Sequence, residues 1–150
     1  MEKRNPREWL CLKRTVRFGE TDAAGVVHFL ELFRWCHESW EESLEKYGIT
    51  LQEIFPRTPI DINKLDFALP VVHCEANYFQ PLYVGDTIYT ELYPEKINDF
   101  SFIIRFKFKK NGEQIGLAKI KHVSINPITR KKYSLCNQIN LWLEESVLIY

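Results

Sequence analysis

Large apolar side chains at Phe29, Phe33, Cys36, Trp40, Leu44 and Tyr47 recur at steps of 4, 3, 4, 4 and 3 residues, the spacing of one helical face. Glu31, Arg34, Glu38, Glu41, Glu42, Glu45 and Lys46 occupy the other face. Gly48 follows with the residue type that most easily adopts the left-handed conformation ending a helix. The pattern predicts an amphipathic helix over 26–47, about 33 Å long.

The rest of the chain alternates with a period of two. Phe102, Ile104, Phe106 and Phe108 interleave with Ile103, Arg105, Lys107 and Lys109, which predicts a strand with one buried face. Strands are expected over 13–18, 71–79, 87–95, 100–109 and 114–126. Asn111-Gly112 is a strong hairpin signal and Asn98-Asp99 a second candidate turn, so the sheet should be antiparallel. One strand, one long helix and four successive strands make an α+β class, with the helix packed along a curled sheet whose edges invite a second subunit.

Length and composition narrow this further. The chain has 150 residues, 45% of them hydrophobic, and no repeat or linker, so one domain over 1–150 is expected, with enough core to need neither disulfides nor a structural metal. Twenty Lys+Arg balance twenty Asp+Glu, which argues against general attraction to nucleic acid or an anionic membrane. The longest uncharged stretch, 133–143, is too short for a membrane span, and the charged N-terminal residues carry no apolar signal core, so a cytoplasmic location is expected. Cys11, Cys36, Cys74 and Cys136 lack paired spacing and read as reduced and mostly buried.

Several chemistries fail on spacing. Gly112 to Gly116 places Gln114 where a serine nucleophile elbow needs its serine. The helical run from His37 has Glu41 where a zinc motif needs its second histidine, so no metal is expected. Nucleotide-binding glycine loops are absent, and no cofactor is implied. What remains is the segment from Phe18 to Phe29, a strand end, a turn of small residues and the expected helix start, with Asp22 at the transition. Two readings stand side by side. Thr21 or Asp22 could cap the helix, or the Asp22 carboxylate could attack a carbonyl or activate water beside oxyanion donors.

The Asp22-Ala23-Ala24-Gly25-Val26-Val27 turn, with Pro70-Val71-Val72 and Pro81-Leu82-Tyr83-Val84-Gly85-Asp86, resembles the hotdog-fold acyl-CoA thioesterases of the 4-hydroxybenzoyl-CoA thioesterase type over 15–126. Within them, Thr21 to Phe29 and the run from His37 to Leu44 are most similar to the 1,4-dihydroxy-2-naphthoyl-CoA hydrolases of phylloquinone biosynthesis. The resemblance implies a hotdog fold, assembly as a homodimer or homotetramer, and hydrolysis of an aromatic acyl-CoA. Rival substrates are 4-hydroxybenzoyl-CoA, short-chain acyl-CoA and acyl carrier protein, and the rival class is a noncatalytic acyl-CoA-binding module.

Carried over by position, the resemblance makes Asp22 the nucleophile or general base. The oxyanion donors fall on the backbone at Phe67, Ala68 or Leu69, Ala68 and Leu69 being the selected pair. His28, Phe29, Phe33 and Tyr78 become candidates for the acyl pocket. Where related enzymes have Tyr-His, this chain has His28-Phe29, so a histidine role does not transfer directly. Lys109, Lys110, Arg130, Lys131 and Lys132 are the candidate cations for the CoA phosphates.

Overall fold

The computed structural model describes residues 2–55 and 65–149. In chain order these form a one-turn helix α1 (Arg7–Leu10), strand β1 (Cys11–Thr15), the long helix α2 (Glu31–Tyr47), strands β2 (Val71–Tyr78), β3 (Thr87–Asn98), β4 (Ser101–Lys110) and β5 (Glu113–Val123), and helix α3 (Asn137–Glu145). The strands make one sheet in the order β1-β3-β4-β5-β2, every neighbouring pair antiparallel. This is the α+β architecture the patterning predicts.

Phe102, Ile104, Phe106 and Phe108 all face the core, while Arg105, Lys107 and Lys109 lie on the opposite face of β4. Leu32, Trp35, Cys36, Trp40 and Leu44 of α2 are buried in the same core. Asn111 and Gly112 both have positive φ, +49° and +78°, as a type I′ hairpin requires. The second hairpin turns at Asp99-Phe100, one residue later than expected, because the Asn98 side-chain oxygen accepts from the Phe100 N–H and the Ser101 hydroxyl. All four cysteines are free, but only Cys36 is buried; Cys74 is exposed on β2. No helix among the described residues is long and apolar enough to cross a membrane.

The helix begins at Glu31, not at residue 26. Val27 forms an antiparallel bridge with Thr21, and the Val27 and His28 N–H groups bond the Leu82 and Glu20 carbonyls, which ties this segment to its neighbours ahead of the helix. Phe29 therefore precedes the helix and is 65% exposed, and Leu32 and Trp35 lead the buried stripe in its place. At the other end Gly48, φ +118°, closes α2 as expected. Helices α1 and α3 carry no counterpart in the periodicity reading; Ile139, Trp142 and Leu143, the buried face of α3, were its available signal.

One buried polar group ties the far end of the sheet together. His122 on β5 is 1% exposed, stacks on Phe102 with centroids 5.0 Å apart, and packs against Trp40 at 4.4 Å. Its Nδ1–H donates to the Leu69 carbonyl at 2.9 Å. Burial pushes the imidazole down from 6.5 to about 4, so the ring is neutral at pH 7. The unfolded chain binds this proton more readily, so the His122 contribution is complete above pH 6.5 and is lost as pH falls toward 4. Thermal melts between pH 4 and 7 should show that loss in the parent chain, with a flatter profile for His122→Gln.

Candidate active site

The Asp22 loop is a closed turn held at several points. Thr21 and Val27 form an antiparallel bridge, the Asp22 N–H donates to the Val26 carbonyl, and the Gly25 N–H donates to the Asp22 carbonyl at 3.0 Å. Gly25 sits at φ +80°, which a side chain would resist. Asp22 Oδ1 accepts the Ala24 N–H at 2.8 Å, an Asx turn. Asp22 therefore caps its own turn, while α2 has Leu30 at its N-cap with no side-chain bond. The helix-cap reading is overturned. Nothing else among the described residues bonds the Asp22 carboxylate, which is exposed and accessible to a ligand.

The candidate pocket residues lie on the segment after the loop, in the first turn of α2 and at the end of β2. His28 Nδ1 accepts the Leu30 N–H at 3.2 Å, a bond that requires the tautomer with its proton on Nε2. The Phe29 ring lies 4.5 Å from His28. The Tyr78 hydroxyl, from β2, donates to the Phe29 carbonyl and accepts the Leu32 N–H at 3.3 Å. The phenol thus supplies the cap that Leu30 cannot, joining the sheet edge to the helix start. Phe33 is half-buried in the first turn of α2. Phe18, Leu30, Phe79, Tyr83 and Val84, on the segments bordering the loop, are all exposed apolar residues.

Residues 16–143 match the family model described as thioesterase-like superfamily. The chain belongs to that superfamily. It is 80% identical over 148 residues to a 1,4-dihydroxy-2-naphthoyl-CoA hydrolase of Prochlorococcus marinus strain NATL1A, covering 99% of each chain. A crystal structure from Prochlorococcus marinus strain MIT 9313 superposes with a TM-score of 0.91 at 47% identity, covering 96% of this chain and 100% of that one. A 1,4-dihydroxy-2-naphthoyl-CoA thioesterase from Synechocystis gives 0.81 at 29% identity, over 89% and 94%. The fold is that of the hotdog thioesterases.

For a thioesterase of this superfamily, the remaining candidates divide by position. Asp22 lies at the end of the sheet where the Val16 N–H bonds the Asp86 carbonyl and β2 finishes at Tyr78. Ala68 and Leu69 lie at the opposite end, where Ala68 bridges Ile125 and Leu69 meets His122. β2, with 8 residues, separates the two groups by about 27 Å. The Ala68 N–H is spent on the Ile125 carbonyl at 2.8 Å, which removes it as an oxyanion donor. The Leu69 N–H has no partner among the described residues.

The cations divide in the same way. Lys109 pairs with Glu91 at 2.6 Å and Lys110 with Asp86 at 2.9 Å, so both ammonium groups are already neutralised. Arg130, Lys131 and Lys132 are exposed near Ala68, Lys132 bridging to Ile125 and lying 4.6 Å over the Phe100 ring.

Sequence reasoning missed Glu20. Only 5% exposed, it accepts from Arg14 Nη2 at 3.0 Å, Trp35 Nε1 at 2.5 Å and the Arg17 N–H at 2.8 Å. Local spacing signals only the Arg17 contact, because the Arg14 and Trp35 partners sit on β1 and α2.

Proposed function

We propose that the chain hydrolyses 1,4-dihydroxy-2-naphthoyl-CoA to 1,4-dihydroxy-2-naphthoate and CoA, a step of phylloquinone biosynthesis in the cytoplasm. The observation that carries this reading is 80% identity over nearly the full length to a hydrolase of that name. Asp22 either attacks the thioester carbon or draws a proton from the water that does. Oxygen adds to the carbonyl carbon, the carbon–sulfur bond breaks, and the CoA sulfur leaves and takes up a proton; if the attacking oxygen is that of Asp22, water then cleaves the resulting mixed anhydride to release the acid and restore the carboxylate. The His28 Nε2–H faces the acyl oxygens, with Phe29, Phe33 and Tyr78 beside the aromatic ring.

The site is completed by a second copy of the chain, all 150 residues acting as one hotdog unit. β2 is a sheet edge whose residues are nearly all exposed, among them Val71, Val72 and Tyr78. Such an edge offers its unpaired N–H and C=O groups to another strand. Antiparallel pairing of two β2 strands about an axis between Cys74 and Glu75 sets the partner's Leu69 opposite Gln80, close to Leu82, which holds the Asp22 loop. That brings an oxyanion N–H to Asp22 and carries the partner's Arg130, Lys131 and Lys132 toward the CoA phosphates. Lys109 and Lys110 keep their carboxylate partners.

Thiol release from a panel of acyl-CoA esters tests the substrate. The naphthoyl ester should exceed aliphatic acyl-CoA by about 10²-fold in kcat/KM, since a site that binds substrate hydroxyls rejects analogues without them. Equal rates on aliphatic or 4-hydroxybenzoyl esters would remove the substrate assignment, and binding without thiol release would favour a noncatalytic module.

A further inference from the structure

We propose that Glu20 is a positioning residue of the reaction, fixing the Asp22 carboxylate by anchoring the base of its loop to β1 and α2. The inference rests on the assignment of Asp22 to the chemistry. The loop closes on itself through Thr21–Val27 and Asp22–Val26, contacts that shape the turn without placing it on the body of the protein. Placement comes from its two flanks. On one, the buried Val27 N–H bonds the Leu82 carbonyl. On the other stands Glu20, two residues before Asp22.

Glu20 acts in three directions at once. Its Oε2 takes the Trp35 indole N–H and an Arg14 guanidinium N–H, which fixes it to α2 and β1. Its Oε1 takes the Arg17 N–H, which sets the turn over Phe18–Glu20. Its backbone carbonyl takes the His28 N–H at 2.9 Å, pinning the histidine that follows the loop. Arg14 is itself held by Glu38 at 3.0 Å, and Glu38 by Arg34 at 3.0 Å, so the anchor continues along the outer face of α2. A neutral or apolar residue would fill the space at position 20. A buried anion with these donors specifies direction as well as volume, and a displacement of about 1 Å at a reacting group costs roughly 10²-fold in rate.

Glu20→Gln keeps the shape, but with its one oxygen turned to Trp35 and Arg14 its amide NH2 meets the Arg17 N–H, and the charge that holds Arg14 is lost. Steady-state kinetics well below its melting temperature should show kcat lowered about 10²-fold with KM within about threefold of the parent. The deciding readout is a double-mutant cycle: with Asp22→Asn present, Glu20→Gln should change kcat little further, because the group it places is already gone. Multiplicative losses, or parental kcat in Glu20→Gln, would overturn the proposal. If Glu20→Gln does not fold, Trp35→Phe removes the indole donor along with part of the ring that packs on Arg14 and Phe108; a lowered kcat with unchanged KM that vanishes in the Asp22→Asn background supports the proposal, and a parental kcat or a loss multiplicative with Asp22→Asn defeats it. Activity retained in Asp22→Asn alone would instead remove the assignment of Asp22, a result this cycle separates from failure at Glu20.

Discussion

Asp22→Asn is expected to lower kcat on the best acyl-CoA ester by about 10³-fold while leaving the melting temperature within about 2 °C of the parent. The two halves of that result come from different atoms. In the fold, the carboxylate accepts one backbone N–H, from Ala24, and an asparagine carbonyl oxygen accepts the same bond. Turn geometry, the Gly25 conformation and the bridge between Thr21 and Val27 depend on the backbone and survive. In the reaction, an amide neither adds to a carbonyl nor removes a proton from water, so the charge-dependent contribution disappears. Single-turnover thiol release together with differential scanning fluorimetry reads both halves. Full activity in a folded variant would remove Asp22 from the chemistry, and a large drop in melting temperature would return it to a structural role.

Much of the fold is legible because burial on one face imposes a period that survives in a single sequence. β4 shows this best: buried Phe102, Ile104, Phe106 and Phe108 alternate with Ile103, Arg105, Lys107 and Lys109, and the Asn111-Gly112 turn fixes its pairing with β5. The start of α2 is not legible, since Phe29 continues the helical spacing while its neighbours' N–H groups are claimed by Leu82 and Glu20, partners 55 and 8 residues away. β2 is legible as a strand over 71–79 and is observed over Val71–Tyr78, but its surroundings are not. Its residues are exposed in the single chain, so their apolar character records a surface that this chain does not itself cover.

The site follows the same division. The Asp22 turn is local and reads directly from residue types, whereas Glu20 matters through Arg14 and Trp35, and His122 through Leu69, contacts that span elements. For Lys109 and Lys110, the run of cations records charge without recording the carboxylates, Glu91 and Asp86, that the fold sets against it.

Mixing two inactive variants should restore about a quarter of parental activity if the site is shared between two chains. Leu69→Pro deletes the N–H proposed to hold the thioester oxygen while retaining the carbonyl that accepts from His122. Loss of one oxyanion donor costs about 10²–10³-fold, so this variant is nearly silent alone, as is Asp22→Asn. In a heterodimer of the two, one site combines both lesions and the other combines an intact Asp22 with an intact Leu69. Random exchange makes half of the dimers mixed, and each mixed dimer has one working site of two, which sets the recovery at about one quarter. The roughly 27 Å between the two groups along β2 forbids both from serving one substrate within a single chain. Denaturing and refolding the variants together, then assaying thiol release against each refolded alone, gives the answer. Activity no greater than the sum of the separate variants, with mixed dimers confirmed by mass spectrometry, would place the oxyanion donor elsewhere and end the case for a shared site.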